Sequence, residues 1–317
     1  MSQGNSPSAR IDICVATFKR PEGLRRLLES LIRQETRSEF CHRLIVVDND
    51  ARRSAEPVVR EFFSRGVPLI YDVEPRQNIS LARNRTLSHA TGEFIATIDD
   101  DEYADHRWLL NLYKTMVAYD ADVVHGPVVP LFPPNTPAYV KNSALVARPE
   151  LATGSTENYT PYTANSLFRR KLIEALPAAF DPRFGRTGGE DILFFHALRR
   201  QGHKLIWCND AVVFASIPPD RANLSALTKR YFRNGYITYR MSSEAHLNEV
   251  RVDRAAVFRC CVRLGIGLGA MPFYLFADLC GGNSSKALRS LEETAFRAGF
   301  LAAAFRFRYE AYRGEKT

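Results

Sequence analysis

Phe94-Ile95-Ala96-Thr97-Ile98-Asp99-Asp100-Asp101-Glu102 sets an apolar, strand-like run directly against four consecutive carboxylates. Like charges this close repel, and only solvent or a cation makes them tolerable. In an open α/β sheet the carboxyl end of a strand is also where ligands sit. The stretch therefore points to a metal-dependent nucleotide-diphosphate site. A solvated acidic turn ahead of a helix is the plain alternative, because acidic residues favour helix N-termini.

Working outward from this run, strand and helix patterns alternate between Ile11 and about Phe214. Residues 11–17 read as a strand. Pro21 suits a first helical turn, and Leu24, Leu27, Leu28, Leu31 and Ile32 form a helical stripe behind it. A second buried strand, 44–47, ends at Asp48-Asn49-Asp50. Val58, Val59, Phe62 and Phe63 mark another helix, 67–73 a third strand, and 80–90 a helix closed by Gly92. Beyond the acidic run come a helix at 108–117, a strand at 122–129, a long Pro-, Asn- and Thr-rich loop at 130–160 and a strand at 164–168. Gly188-Gly189-Glu190-Asp191 then opens a helix that stops at Gly202, followed by short strands at 204–207 and 211–214. This order predicts an α/β class fold of βαβ units around a mainly parallel, Rossmann-type sheet flanked by helices. After Pro218-Pro219 the pattern turns helical and basic, with helices expected over 224–240, 254–279 and 286–313 and Gly281-Gly282 between the last two.

The bulk properties narrow the class. A chain of 317 residues with 45% apolar content can bury a substantial core and is not disordered. A net charge of +8 favours anionic partners such as nucleotides or phospholipid surfaces. The six cysteines form no Cys-x-x-Cys pair and no zinc-like spacing with histidine, so buried free thiols in a reducing compartment are expected. Residues 1–10 lack the apolar core of a secretion signal and read as a frayed tail. The run LGIGLGAMPFYLFA, 264–277, falls short of the roughly 20 apolar residues of an ordinary bilayer span. A buried, re-entrant or interfacial helix would each account for it.

Three acidic sites fall beyond apolar runs or open a helix: Asp48-Asn49-Asp50, the 99–102 cluster and Glu190-Asp191. The first two share one edge of a parallel sheet. Mn2+ or Mg2+ needs few carboxylates once substrate phosphates supply other ligands, and Asp99 with Asp101 would serve, on one side of an extended strand. Glu190-Asp191 follows two glycines that allow close ligand approach, and an anion stabilised at a helix start suits a general base. From that segment alone, an ordinary acidic helix start is the more common reading. Arg83, in the first turns of the helix after Asn78, can reach a phosphate or a metal-binding carboxylate. His125, His196 and His203 have no ligand-like spacing and are read as structural or surface residues; Trp207 and Tyr236 are read first as core aromatics.

Five segments then follow one another in a recognisable order: Val15 to Pro21, Val46 to Asp50, Asn78 to Asn84, Ile98 to Asp101, and Gly189 to Asp191. Over residues 11–215 the chain resembles family 2 glycosyltransferases, and the whole is similar to bacterial succinoglycan-type glucosyltransferases of exopolysaccharide assembly. The resemblance implies a GT-A fold, a UDP-sugar donor and inversion at the anomeric carbon. It implies that Thr17 and Asp48 hold the uridine with Arg20 nearby, and that Arg83 and Asp100 border the nucleotide sugar. Asp99 and Asp101 would match the metal motif, Asp100 leaving its register open. Asp191 would match the catalytic base, with Glu190 orienting the acceptor. One departure matters. Processive members carry Gln-x-x-Arg-Trp after the base, whereas Lys229-Arg230-Tyr231-Phe232-Arg233-Asn234-Gly235 lacks both the Gln and the Trp. Single-sugar addition is expected, with Arg230 and Arg233 as contacts for a diphosphate or acceptor, or as a solvated basic face.

These readings divide the chain into a tail (1–10), a nucleotide-sugar-binding catalytic domain (11–217) and a basic helical region (218–317) for a membrane surface or an oligomer contact. The expected acceptor is a polyprenyl-diphosphate-linked glycan at the inner face of the cytoplasmic membrane, with no nucleic-acid partner. Two other classes remain: a nucleotidyltransferase, for which a Gly-rich, Lys-containing phosphate loop is missing, and a non-catalytic membrane- or partner-binding protein on the same fold.

Overall fold

The strand β1 (Ala9–Thr17) is the axis of the molecule, and it pairs in parallel with both β2 (Phe40–Asp48) and β4 (Phe94–Ile98). In the computed structural model, residues 9–146, 151–174, 176, 178–244, 254–279 and 285–311 are described. Ala9 and Arg10, expected in the tail, belong to β1 and pair with Phe40 and Cys41. Residues 1–8, Cys280, Gly281, Gly282 and the far end of the last expected helix lie outside the described residues.

The main sheet has seven strands in the order β3-β2-β1-β4-β8-β6-β9, where β3 is Leu69–Val73, β6 Val123–His125, β8 Asn165–Arg169 and β9 Leu205–Trp207. All neighbours run parallel except at β8, which is antiparallel to both β4 and β6. A second sheet of three short strands, β5 (Glu102–Ala104), β10 (Val213–Ser216) and β7 (Val128–Leu131), stands beside it. The single strand expected over 122–129 is therefore two. His125 ends β6, Gly126-Pro127 bends the chain, and β7 joins the other sheet.

Alternation along the strands divides the core. Ile13, Val15, Leu44, Val46 and Ala96 face α1 (Pro21–Leu31), α2 (Glu56–Ser64) and α4 (Trp108–Ala118). Cys14, Ile45 and Ile95 face the other way, toward α3 (Ile79–His89) and α7 (Glu190–Arg200). On α1, Pro21 occupies the first turn and Leu24, Leu27, Leu28 and Leu31 are fully buried. Each such side chain contributes about 1.5–3 kcal/mol. Phe63, expected on the buried stripe of α2, is exposed instead. Gly92 does not close α3. That helix ends with Ala90 in an extended conformation, and the Gly92 N–H donates to Asp12 Oδ2 at 2.7 Å. The long excursion after β7 contains two four-residue helices, α5 (Ala138–Lys141) before β8 and α6 (Lys171–Glu174) after it.

Three long helices complete the chain: α8 (Leu224–Glu244), α9 (Arg254–Leu279) and α10 (Ser285–Ala304). At Gly235 and Gly299 the α8 and α10 backbones touch. A Cβ at either would sit 1.9 Å from a carbonyl oxygen of the other helix, so both sites need glycine. Tyr236 and Trp207 are buried aromatics. Of the five cysteines described, Cys14 and Cys208 are buried as expected, whereas Cys260 is half-buried and Cys41 and Cys261 are exposed.

Candidate active site

The carboxylate run lies not on an extended strand but in the turn between β4 and β5, where the Glu102 N–H donates to the Asp99 carbonyl at 3.2 Å. Strand alternation is therefore not what brings Asp99 and Asp101 together; the turn does. Oxygens of Asp99, Asp101 and Glu102 lie within 4.8 Å of one another. Glu102, absent from the residues singled out above, is buried and accepts from the Asp99 N–H at 2.9 Å. Its carboxyl is pushed well above the usual range by burial and by the charges of Asp99 and Asp101. Three oxygen donors so grouped fit a hard divalent cation such as Mg2+ or Mn2+.

Asp100 points the other way. It is buried, accepts from Thr17 Oγ1 at 2.8 Å and pairs with Arg20 at 2.8 Å. Burial pushes its carboxyl up to about 6 against the pull of Arg20. The same Arg20 nitrogen holds Asp101 at 2.9 Å, and Arg221, in the turn after β10, approaches Asp101 at 3.5 Å. Nothing in the local sequence around Arg221 signals this contact.

Asp48 is fully buried. Its oxygens accept from Asp50 N at 3.0 Å, Ala55 N at 2.7 Å and Tyr71 OH at 3.3 Å. It pins the loop after β2. Thr17 is likewise buried and spent on Asp100.

The segment 78–84 fastens α3 to the loop before α7. Asn78 caps α3 by accepting from Leu81 N at 3.1 Å and donates to the Pro182 carbonyl at 2.9 Å. Ser80 donates to the Asp181 carbonyl at 2.9 Å, and Asn84 both donates to and accepts from the Phe180 backbone. This seam carries Arg83 to the centre. Its guanidinium pairs with Asp99 Oδ1 at 3.0 Å and with Glu190 Oε1, so one side chain spans the acidic turn and the start of α7. Glu190 is buried, and its Oε2 has no hydrogen-bond partner among the described residues. Burial, opposed by Arg83 and reinforced by Asp191 and Asp99, pushes its carboxyl upward.

Gly189 has φ of 96°, and a Cβ there would lie 2.5 Å from Ile237 Cγ2 of α8. Glycine thus serves the turn and the approach of α8 together. Asp191, next along, is half-buried; its Oδ2 accepts from Thr163 N at 3.5 Å, a neighbour the sequence did not suggest. Arg240 of α8 donates to Thr187 Oγ1 at 3.0 Å, so the helical region buttresses this loop. Arg230 and Arg233 also lie on α8. The Arg233 Nε is buried without a hydrogen-bond partner among the described residues. His125 is buried against Ser166 in the core, at 2.8 Å.

Comparison with known proteins agrees with this geometry. The family model "Glycosyl transferase family 2" matches residues 12–176. The chain is 37% identical over 237 residues to the succinoglycan biosynthesis protein ExoM of Rhizobium meliloti, covering 74% of this chain and 75% of that one. In fold it resembles a mannosyltransferase from Pyrobaculum calidifontis solved with GDP-Man and Mn2+, with a TM-score of 0.60 at 18% identity over 95% of this chain and 88% of that one. It also resembles TarS of S. aureus solved with UDP-GlcNAc, with a TM-score of 0.53 at 15% identity over 95% and 93%. The mixed sheet flanked by helices is the GT-A fold of these neighbours. From the acidic turn, the matched family model and the relative 37% identical over 237 residues, the chain belongs to glycosyltransferase family 2.

Proposed function

We propose that the protein is an inverting, non-processive hexosyltransferase. It moves one sugar, glucose by the resemblance, from a UDP-sugar to a hydroxyl of a polyprenyl-diphosphate-linked oligosaccharide in bacterial surface polysaccharide synthesis. The observation that carries this reading is the shared contact of Arg83 with Asp99 and Glu190, which brings a cation-type cluster and the start of α7 together. The relative named for succinoglycan biosynthesis supports the pathway class. The neighbours bound to GDP-Man with Mn2+ and to UDP-GlcNAc support a nucleotide-sugar donor and a divalent metal.

Asp99, Asp101 and Glu102 are the residues that would hold Mn2+ or Mg2+, whose chemistry is to offset charge on a departing diphosphate. Arg20, Arg83 and Arg221, now paired with the same carboxylates, supply further positive charge for phosphate oxygens beside Asp100. Asp191 takes the proton from the acceptor hydroxyl as its oxygen bonds to the anomeric carbon. The bond from that carbon to the diphosphate breaks on the opposite face, and UDP leaves with the electron pair. Glu190, through its unpartnered Oε2, fixes the acceptor. Thr17 and Asp48 serve the uridine by shaping the loops around it. Addition of single sugars follows from the missing Gln and Trp in 229–235, and Arg230 and Arg233 remain diphosphate or acceptor contacts in this proposal. The basic helices support a peripheral position on the inner face of the cytoplasmic membrane, near such an acceptor.

A panel of UDP- and GDP-sugars, with and without Mn2+ or Mg2+, tests the proposal. The expected result is metal-dependent release of UDP from one UDP-hexose. Pyrophosphate release from a nucleoside triphosphate would move the chain to the nucleotidyltransferases, and no turnover of any donor would leave a binding protein.

A further inference from the structure

The sequence run 264–277 becomes part of a 26-residue helix, α9, that begins ten residues earlier. Its stretch Arg254–Tyr274 is long and apolar enough to cross a membrane by length and composition, with a mean hydropathy of 1.4, yet none of that window is buried. Phe258, Val262, Ile266 and Phe273 recur at helical spacing on one face and are 68%, 45%, 65% and 70% exposed. A surface of this kind on a folded chain marks an interaction site.

The opposite face of α9 packs on α10. Cys260 Sγ reaches the Arg297 carbonyl, and a Cβ on Gly267 would lie 2.7 Å from Thr294 Oγ1. Along the seam run two cavities of about 450 and 370 Å³ that share Arg263 and Arg297. Arg259, Lys286 and Arg289 line them too, against the carboxylates of Glu292 and Glu293. Glu293 is already paired with Arg297 at 2.6 Å. Arg259, Arg263, Lys286 and Arg289 have no carboxylate in ion-pair range among the described residues. Tyr231, Phe296 and Phe300 give the larger cavity an apolar wall.

We propose that α9 lies in the plane of an anionic bilayer, its exposed apolar face in the acyl boundary, while the arginine-lined seam with α10 binds lipid phosphate. Charge complementarity selects this occupant. The unpaired cations flank the apolar stripe at headgroup level, the arrangement of an interfacial helix. A spanning pose is excluded by α10, which runs along α9 and would carry Lys286, Arg289, Glu292, Glu293 and Arg297 into hydrocarbon. The inference deepens the peripheral location proposed above and rests on the C-terminal helices rather than on the donor site.

Flotation of the full chain with phosphatidylcholine vesicles, with and without a third of phosphatidylglycerol, is the test. Wild type is expected to float only with the anionic vesicles and to be released at about 0.5 M NaCl. The surface double variants I266D/F273D and R263S/R289S should each lose 10-fold or more of the binding, with circular dichroism verifying that they fold. Equal flotation on neutral vesicles, or wild-type flotation by both variants, overturns the inference. Trp108 and Trp207 are fully buried, so added fluorescence in I266W reports the position of α9. Quenching by bromines near the glycerol backbone is expected; quenching only by bromines at the chain ends would mean that α9 spans. UDP-sugar turnover by wild type without vesicles is measured on the same preparation. Turnover without flotation removes the lipid inference alone, and flotation without turnover removes the proposed reaction alone.

Discussion

Arg83 and Glu190, 107 positions apart in the chain, form a largely buried ion pair in which the other guanidinium nitrogen of Arg83 holds Asp99. Removing one partner of such a pair strands a charge away from water, at about 3–5 kcal/mol. R83M should lower the unfolding free energy by up to that amount, read as a lower denaturant midpoint, and adding E190Q should recover most of it. An unchanged midpoint in R83M would contradict the pairing. R83K keeps the charge but cannot fork between two carboxylates, so its turnover should fall even where its stability holds.

Asp191→Asn keeps the size and the hydrogen bond to Thr163 N but cannot take a proton. Transfer should drop about 100- to 10,000-fold while UDP affinity stays within a factor of two or so of wild type. Near-normal transfer by the variant would remove Asp191 from the base role.

Asp99→Ala with Asp101→Ala should abolish the gain in UDP affinity that Mn2+ gives the wild type, read by titration calorimetry. Chelation of wild type should cost about 100-fold or more in turnover and be reversed by added metal. Identical UDP affinities with and without Mn2+ in wild type would speak against the cluster as a metal site.

His125 offers a pH signature of the core. Burial, with Arg199 nearby, holds its imidazole down at about 3. Its ordinary value is near 6.5. The folded state therefore favours the neutral ring. The stability it contributes is present above pH 6.5 and lost as pH falls toward 3, approaching about 1.4 kcal/mol per pH unit. H125Q should start less stable and show a shallower fall in melting temperature between pH 6.5 and 4. Parallel curves for the two proteins would refute this.

The strand preceding Asp99 was legible because an apolar run and a row of carboxylates adjoin, and turn-bound oxygens reach the same place that alternation would have required. The direction of β8 was not legible, since an antiparallel strand has the same period as a parallel one. Gly126-Pro127 did signal the break between β6 and β7, and a reading that weighted Pro more heavily would have found it. Glu102 belonged to the quoted run, but only the fold reveals that its side chain turns back to Asp99 N. Asp48 looks like a ligand-facing carboxylate in sequence. That Ala55, Asp50 and Tyr71 consume its oxygens is tertiary information. Arg221 and Thr163 reach the pocket from distant segments, and no local pattern could name them.

The stitching of Asn78, Ser80 and Asn84 to the main chain of 180–182 makes α3 and the loop before α7 a single rigid jaw. Parting its two halves would break every stitch at once, so Arg83 rides on a body that keeps its shape. Mutations that loosen the stitches should therefore shift its guanidinium and lower turnover before they unfold the chain.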